Sequence, residues 1–295
     1  MPNENFDDLF VTEKEHEQRK TFHPYSKDDW LAKKKQERAD AFQMLEEATE
    51  KVAEDPQAFL DYMETQAWFD RYSVSNCLLI SAQNPNAMKL ADYDTWKDQG
   101  IFVSKGESGI VILEPGNEFQ REDGSTGVSM NVKKLFDISQ TSAAENGVDT
   151  KTYQIRPLLK ALMAESPVDL KISDNLPAMC NGTYKPDEKA IYLRQGMDGP
   201  DIFRTMAYEI ILVKMEERGE DSAYIANCAT IMLCERFSVN AGSFDFRNSA
   251  EYFAGKTPKE IRASLEKMRS YANELSQPMT RMLEKVEKSR SDEVR

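Results

Sequence analysis

The sequence predicts an α+β protein of two domains, and three observations carry that expectation. Apolar residues recur at helical spacing through residues 28–83, short Val- and Ile-rich runs separated by turn residues follow up to about 139, and short strand-like runs near 168–193 precede long helical segments. A chain of 295 residues is long enough to bury one large or two ordinary cores. The expected architecture is therefore helices with a small antiparallel sheet, then a second α+β domain with long C-terminal helices.

The elements follow in order. Residues 1–27 are polar and poor in periodic apolar positions, which predicts a disordered arm. From Asp28, "DDWLAKKKQERADAFQMLEEATEKVAED" sets Trp30, Leu31, Phe42, Leu45 and Val52 among charges, an amphipathic helix ending before Pro56, with Asp28 or Asp29 as N-cap. Helices are expected over 57–68 and 73–83, the second stopped at Pro85. "GIFVSKGESGIVILEP" reads as strand, tight turn and strand; "GNEFQREDGSTG" reads as a loop, and "VKKLFDIS" as a third strand. The first domain is thus expected over 28–140, with the polar stretch 141–152 as linker and the second domain over 153–295. In that second domain a helix near 154–165, strands near 168–172, 181–184 and 189–193, and helices near 200–217 and 221–238 are expected. A last helical stretch is expected to bend or break at Pro278.

Composition narrows the function. With 40% hydrophobic and 30% charged residues and no apolar run approaching about 18–20 residues, a membrane-spanning role is not expected. The first twenty residues lack a basic start followed by an apolar stretch, which predicts a cytoplasmic address. Cys77, Cys180, Cys228 and Cys234 lack the close pairing of zinc ribbons or redox motifs and read as small buried thiols. A formal charge of −13 repels phosphate backbones on average, so any nucleic-acid contact must be local.

The segment "FRTMAYEIILVKME", 203–216, carries Glu209 where a zinc-peptidase helix holds its general base. That chemistry needs two His four residues apart on one helix face, with the Glu after the first activating a metal-bound water. Here the two ligand positions are Tyr208 and Leu212, and the chain's two histidines are His16 and His23 in the arm. No metal and no cofactor are expected, and Glu209 reads as a structural carboxylate.

Residues 71–115, "RYSVSNCLLISAQNPNAMKLADYDTWKDQGIFVSKGESGIVILEP", together with "KKLFDISQT", resemble the N-terminal single-stranded-DNA-binding domain of ArdC-type antirestriction proteins of plasmids and conjugative elements. The resemblance rests on the Tyr-Ser and Asn-x-x-Leu-Ile pattern, "AQNP", the Trp before a Gly, the glycine turn and "FDISQT". In the second half, "GTYKPDEKAIYL" and the helix at 203–216 resemble that family's zincin-type metallopeptidase domain. The resemblance implies a third ligand position at Asn227, so all three would be lost, at Tyr208, Leu212 and Asn227, with Glu209 surviving. It implies a catalytically dead, zincin-like pseudo-metallopeptidase.

The resemblance also implies single-stranded DNA as partner, with Arg71, Tyr72, Asn76, Trp96, Lys97, Lys105, Lys133 and Lys134 as candidate DNA-binding residues. Residues 55–140 carry seven Lys or Arg against thirteen Asp or Glu, so a positive groove must be assembled in space. Aromatic faces for bases are available in Trp68, Phe69, Tyr72, Tyr93, Trp96 and Phe102. The expectation is a non-enzymatic accessory protein of a mobile genetic element. The alternative is a protein-interaction module that has lost DNA binding and holds a protein partner.

Overall fold

The computed structural model describes residues 26–121, 123–146, 148, 151–242 and 248–293, with side chains to 289. The expected arm, with His16 and His23, lies outside them apart from Ser26 and Lys27. The chain parts into a unit ending at Asp40 and a compact unit over Ala41–Arg295.

Helix α1, Lys27–Glu54, is capped by Ser26, whose Oγ accepts the Asp29 N–H at 3.0 Å. Asp28 and Asp29, expected as caps, instead lie in the first turn, where their charge suits the positive end of the helix dipole. Trp30 and Leu31 are exposed; the buried face begins at Ala41 and continues through Leu45, Ala48, Thr49, Val52 and Ala53. Asp55 then caps α2, Pro56–Trp68, with Pro56 in the first turn, where its missing N–H costs nothing. Ser73 caps α3, Val74–Gln83.

The first sheet has the order β1-β3-β2, with β1 at Leu90–Ala91, β2 at Ile110–Gln120 and β3 at Thr126–Asp137, all antiparallel. Two expectations are corrected here. The run Ile101–Val103 is no strand, since Val103 makes only a single bridge to Thr141. The expected loop 116–127 is mostly strand, because β2 and β3 continue as a long two-stranded ribbon with a register shift between Pro115 and Glu118. A short helix α4, Tyr93–Asp98, went unforeseen; Asp92 caps it.

Strand β2 is the sheet's edge, and α3 covers it in an unusual way. Asn76 Oδ1 accepts the Leu113 N–H and Asn76 Nδ2 donates to Leu113 O, both at 2.9 Å. Gln83, two turns on, does the same for Val111, accepting its N–H at 2.8 Å and donating to its O at 3.0 Å. Two carboxamides thus stand in for the next strand and satisfy backbone groups that would otherwise invite another chain.

The motif "FDISQT" organises the other end. Asp137 is fully buried; its Oδ1 accepts from Met88 N at 2.7 Å and Lys89 N at 2.9 Å, and its Oδ2 from Ser139 N at 2.9 Å. Gln140 Oε1 accepts the Asp137 N–H at 2.9 Å, and its Nε2 donates to Ser108 O at 2.8 Å, pinning the turn before β2. Burial alone would raise the Asp137 carboxyl, but these donors hold it below the ordinary value.

The remaining elements are α5 (Ile155–Met163), β4 (Asp169–Ser173), β5 (Gly182–Lys185), β6 (Ala190–Arg194), α6 (Gly199–Glu217), α7 (Ala223–Arg236), α8 (Ser249–Phe253) and α9 (Pro258–Glu293). The second sheet has the order β4-β6-β5, with β4 parallel and β5 antiparallel to β6. Helix α9 runs through Pro278 without ending. One continuous core joins α1, α2 and α3 to α5, α6, α7 and α9 across the stretch 141–152.

Replacing Asn76 by Ala leaves a buried N–H and C=O of Leu113 without partners, which should cost about 2–3 kcal/mol. Denaturant unfolding should show that loss for Asn76→Ala, while Gln43→Ala on the exposed face of α1 stays within about 0.5 kcal/mol of the parent. Equal stability of the two would contradict the edge-covering role.

Candidate functional site

Two places bear on function: the helix carrying Glu209 and the outer surface of the first sheet. Helix α6 starts at Asp198, whose Oδ1 accepts the Asp201 N–H at 2.8 Å, and buries Phe203, Met206, Ala207, Ile210, Ile211 and Val213. Glu209 is buried among them at 7% exposure. Its Oε2 accepts the Tyr184 N–H of β5 at 2.9 Å. Strand β5 can approach this closely because Gly182 lacks a side chain; a Cβ there would lie 2.4 Å from Thr205 Cγ2 of α6. Burial pushes the Glu209 carboxyl up, and the Tyr184 N–H partly offsets it.

Tyr208 and Leu212 stand one turn apart on α6, both half-buried against the main core. Asn227 is half-buried on α7, which packs against α6. The residues at these three positions do not fit a divalent metal. Leu212 offers only carbon, Asn227 a neutral amide, and Tyr208 a phenol whose pKa is raised first by burial and then by the Glu209 carboxylate. Cys77, Cys228 and Cys234 are buried, as expected, and Cys180 is half-buried. Burial pushes Cys228 and Cys234 up to about 12, so neither is a thiolate near neutrality.

On the first sheet the eight candidate DNA-binding residues divide. Asn76 and Trp96 belong to the scaffold. Asn76 is spent on the edge of β2, and Trp96 is fully buried in a small satellite core, its Nε1–H donating to Phe136 O at 2.9 Å. Neither is open to a ligand, and the ring exposure needed for base stacking is not visible in a list of aromatic residues. Lys133 lies between Asp92 and Glu114, 3.1 Å from each, and both raise its pKa. Asp92 in turn is held down at about 2, first by its hydrogen bonds with Thr95 and then by Lys133.

Tyr72 is half-buried near this group; burial raises its phenol most, with Lys133 and Glu114 acting on it in opposite senses. The Phe69 ring meets it edge-on at 5.7 Å. Arg71, Lys97, Lys105 and Lys134 are exposed and make no salt bridge among the described residues. Lys105 rides the turn from Ser104 to Gly109, and Gly109 abuts Lys134, where an added Cβ would lie 2.9 Å from Lys134 Cβ.

Two residues outside the candidate set belong to this end of the molecule. Phe102, three residues before Lys105, is 58% exposed while its backbone is held at both ends. Its N–H donates to Ser142 Oγ at 3.1 Å, and its O accepts the Ser142 N–H at 2.8 Å. Lys89 sets its ammonium 5.3 Å from the centre of the Trp96 ring. Phe102 was one of six aromatics equally available from the sequence, and only its exposure separates it from Trp96.

Parts of the chain are similar to known proteins. Residues 42–161 match the family described as the N-terminal domain of anti-restriction factor ArdC. An uncharacterized protein of Bacillus anthracis, pXO2-81, is 34% identical over 107 residues, which is 36% of this chain and 18% of that protein. The chain thus matches about a fifth of that relative's length. Among solved structures, the metal-free crystal structure of the antirestriction ArdC protein from plasmid R388 superposes with a TM-score of 0.55 at 18% identity, over 81% of this chain and 98% of that one. At that identity the match speaks for the fold alone. Residues 42–161 thus match the N-terminal domain of anti-restriction factor ArdC, and the chain carries the fold of the R388 ArdC structure over most of its length.

Proposed function

We propose that this protein is a non-enzymatic, single-stranded-DNA-binding accessory protein of a mobile genetic element, acting in the cytoplasm in the manner of an antirestriction factor. The observation that carries the reading is the exposed Phe102, its backbone held by Ser142, together with the exposed Lys105 and Lys134, which make no salt bridge among the described residues, all in the segment that matches the ArdC N-terminal domain. An exposed ring can stack on a base, and lysines without carboxylate partners can neutralise phosphates. Arg71 and Lys97 extend the cationic surface. No helix among the described residues is long and apolar enough to cross a membrane. The non-enzymatic part of the reading rests on the side chains at 208, 212 and 227, which supply no ligand set for the metal a zincin-type reaction uses.

A second reading, a protein-interaction module without DNA binding, draws on the neutralisation of Lys133 by Asp92 and Glu114, which removes one cation from the expected groove. Fluorescence anisotropy of a labelled single-stranded oligonucleotide at two salt concentrations, beside a duplex of the same sequence, separates the two. The DNA reading expects single-strand preference and a steep salt slope. Phe102→Ala should then weaken binding by about 1–3 kcal/mol, and Lys105→Glu or Lys134→Glu should each lower the salt slope by about one. Absence of binding at low salt would transfer the case to the second reading.

Glu209 gives an independent prediction. Its folded pKa is raised above the unfolded value near 4.5, so the folded state holds that proton more tightly. This stabilises the fold below the unfolded pKa and is lost as pH rises through the folded one. Relative to the parent, Glu209→Gln should therefore gain thermal stability from about pH 4.5 toward neutrality, with oligonucleotide affinity unchanged. A variant that instead loses stability toward neutrality would show that the charged carboxylate is needed for the bond to Tyr184.

A further inference from the structure

Strand β4, Asp169–Ser173, forms one edge of the second sheet, and its backbone pattern says which groups face away. The Asp169 N–H donates to Lys189 O at 3.2 Å, and the Gln195 N–H donates to Ser173 O at 3.1 Å. In a parallel ladder this turns the backbone of residues 169, 171 and 173 toward β6, and that of Leu170 and Ile172 outward. No hydrogen bond from another element covers those outward groups among the described residues. Unlike β2, whose edge Asn76 and Gln83 close, β4 is left open.

On the face that carries Leu170 and Ile172, the side chains around this edge are apolar, as in a covered strand. Ile172 is 76% exposed and Met163 of α5 is 52% exposed, on a chain whose other aliphatic strand residues are mostly tucked in. Leu170, Ile172, Leu159, Met163, Ile202 and Met206 line a cleft of about 370 Å³ under the strand. An open edge with one apolar face is a template for another strand, provided that the partner matches the charges of Asp169 and Lys171 on the other face.

The sequence of the strand identifies which one. About Leu170 as centre, Asp169 and Lys171 stand one residue to either side with opposite charges. If β4 meets β4 of a second copy antiparallel, with Leu170 opposite Leu170, the outward N–H and C=O of the two leucines bond to each other. In the same register Asp169 faces the other copy's Lys171 twice, and Ile172 faces Val168 of the other copy on the cleft side. A shift by one residue would turn the inward-facing backbone of Asp169 and Lys171 toward the partner, so hydrogen bonding and charge select the same register. An isologous contact of this kind is self-complementary about a two-fold axis.

We infer that β4 is a self-association edge, through which two copies join antiparallel about Leu170 into one six-stranded sheet of order β5-β6-β4-β4-β6-β5. The inference does not depend on DNA binding. Sedimentation equilibrium of the full chain should give a concentration-dependent mass rising to twice that of the monomer. Asp169→Lys alone and Lys171→Asp alone each put like charges opposite each other at both ends of the contact, and each should be monomeric at concentrations where the parent is dimeric. Mixing the two single variants should restore a dimer, because every 169–171 pair across the contact is then opposite in charge; the double variant should also dimerise by itself. Ile172→Lys, at an exposed position, should abolish the dimer without changing the circular dichroism spectrum. A parent that stays monomeric, single variants that dimerise like the parent, or mixed variants that fail to recover would each overturn the inference. A strand peptide of unrelated sequence binding this edge with the parent still monomeric would overturn it too.

Discussion

The C-terminal end of helix α2 holds the molecule together, because three cationic or amide side chains from the second half of the chain converge on it. Arg236 of α7 reaches Asp70 at 3.0 Å and donates to the carbonyls of Ala67 and Trp68 at 3.3 and 3.4 Å. Arg269 and Asn273 of α9 donate to Asp70 O at 3.1 and 3.2 Å. A helix ends with unpaired carbonyls and partial negative charge, so positive donors satisfy both needs at once. The surrounding apolar side chains then close as a single core over Ala41–Arg295, with α2 packed on α7 and α9 on both α7 and α5. The core continues from one half of the chain to the other, on both sides of the polar stretch that reads as a linker.

Once α2 is placed, the family motifs of the first half acquire mechanical meanings. The Asn of "NCLLI" closes the edge of β2, and Gln83 of "AQNP" repeats the device two turns later. The Asp and Gln of "FDISQT" gather the strand-to-helix crossing and the glycine turn. None of these side chains is left over for a ligand. The motifs build the platform, and the surface they support is made of residues such as Phe102, Lys105 and Lys134, which no packing constraint requires.

In the second half, the residues of helix α6 do structural work. Glu209, placed by the sequence resemblance where a general base is expected, spends its carboxylate on the backbone of β5, with Gly182 allowing the approach. Tyr208 and Leu212 add half-buried apolar surface to the core. Chemistry needs the full constellation, whereas packing needs only the helix and its spacing.

Much was legible in the sequence by itself. The hydrophobic periodicities located the helices from 57 to 83 and from 199 to 236 and the three strands of the second sheet to within about two residues. The missing histidines in the frame around Glu209 needed no structure to be seen. These follow from local spacing and residue chemistry, which a linear string preserves. Other features were decided only in three dimensions. Ser26 took the cap expected of Asp28 or Asp29, the ribbon of β2 and β3 absorbed an expected loop, and Val103 failed to form a strand because its partner is the single residue Thr141. Trp96 went inside while Phe102 stayed out, and Lys133 met two carboxylates while Lys134, its neighbour on the opposite face, met none. Pairing across tens of residues sets which face of a strand is covered and which charge is neutralised, and sequence neighbours share neither.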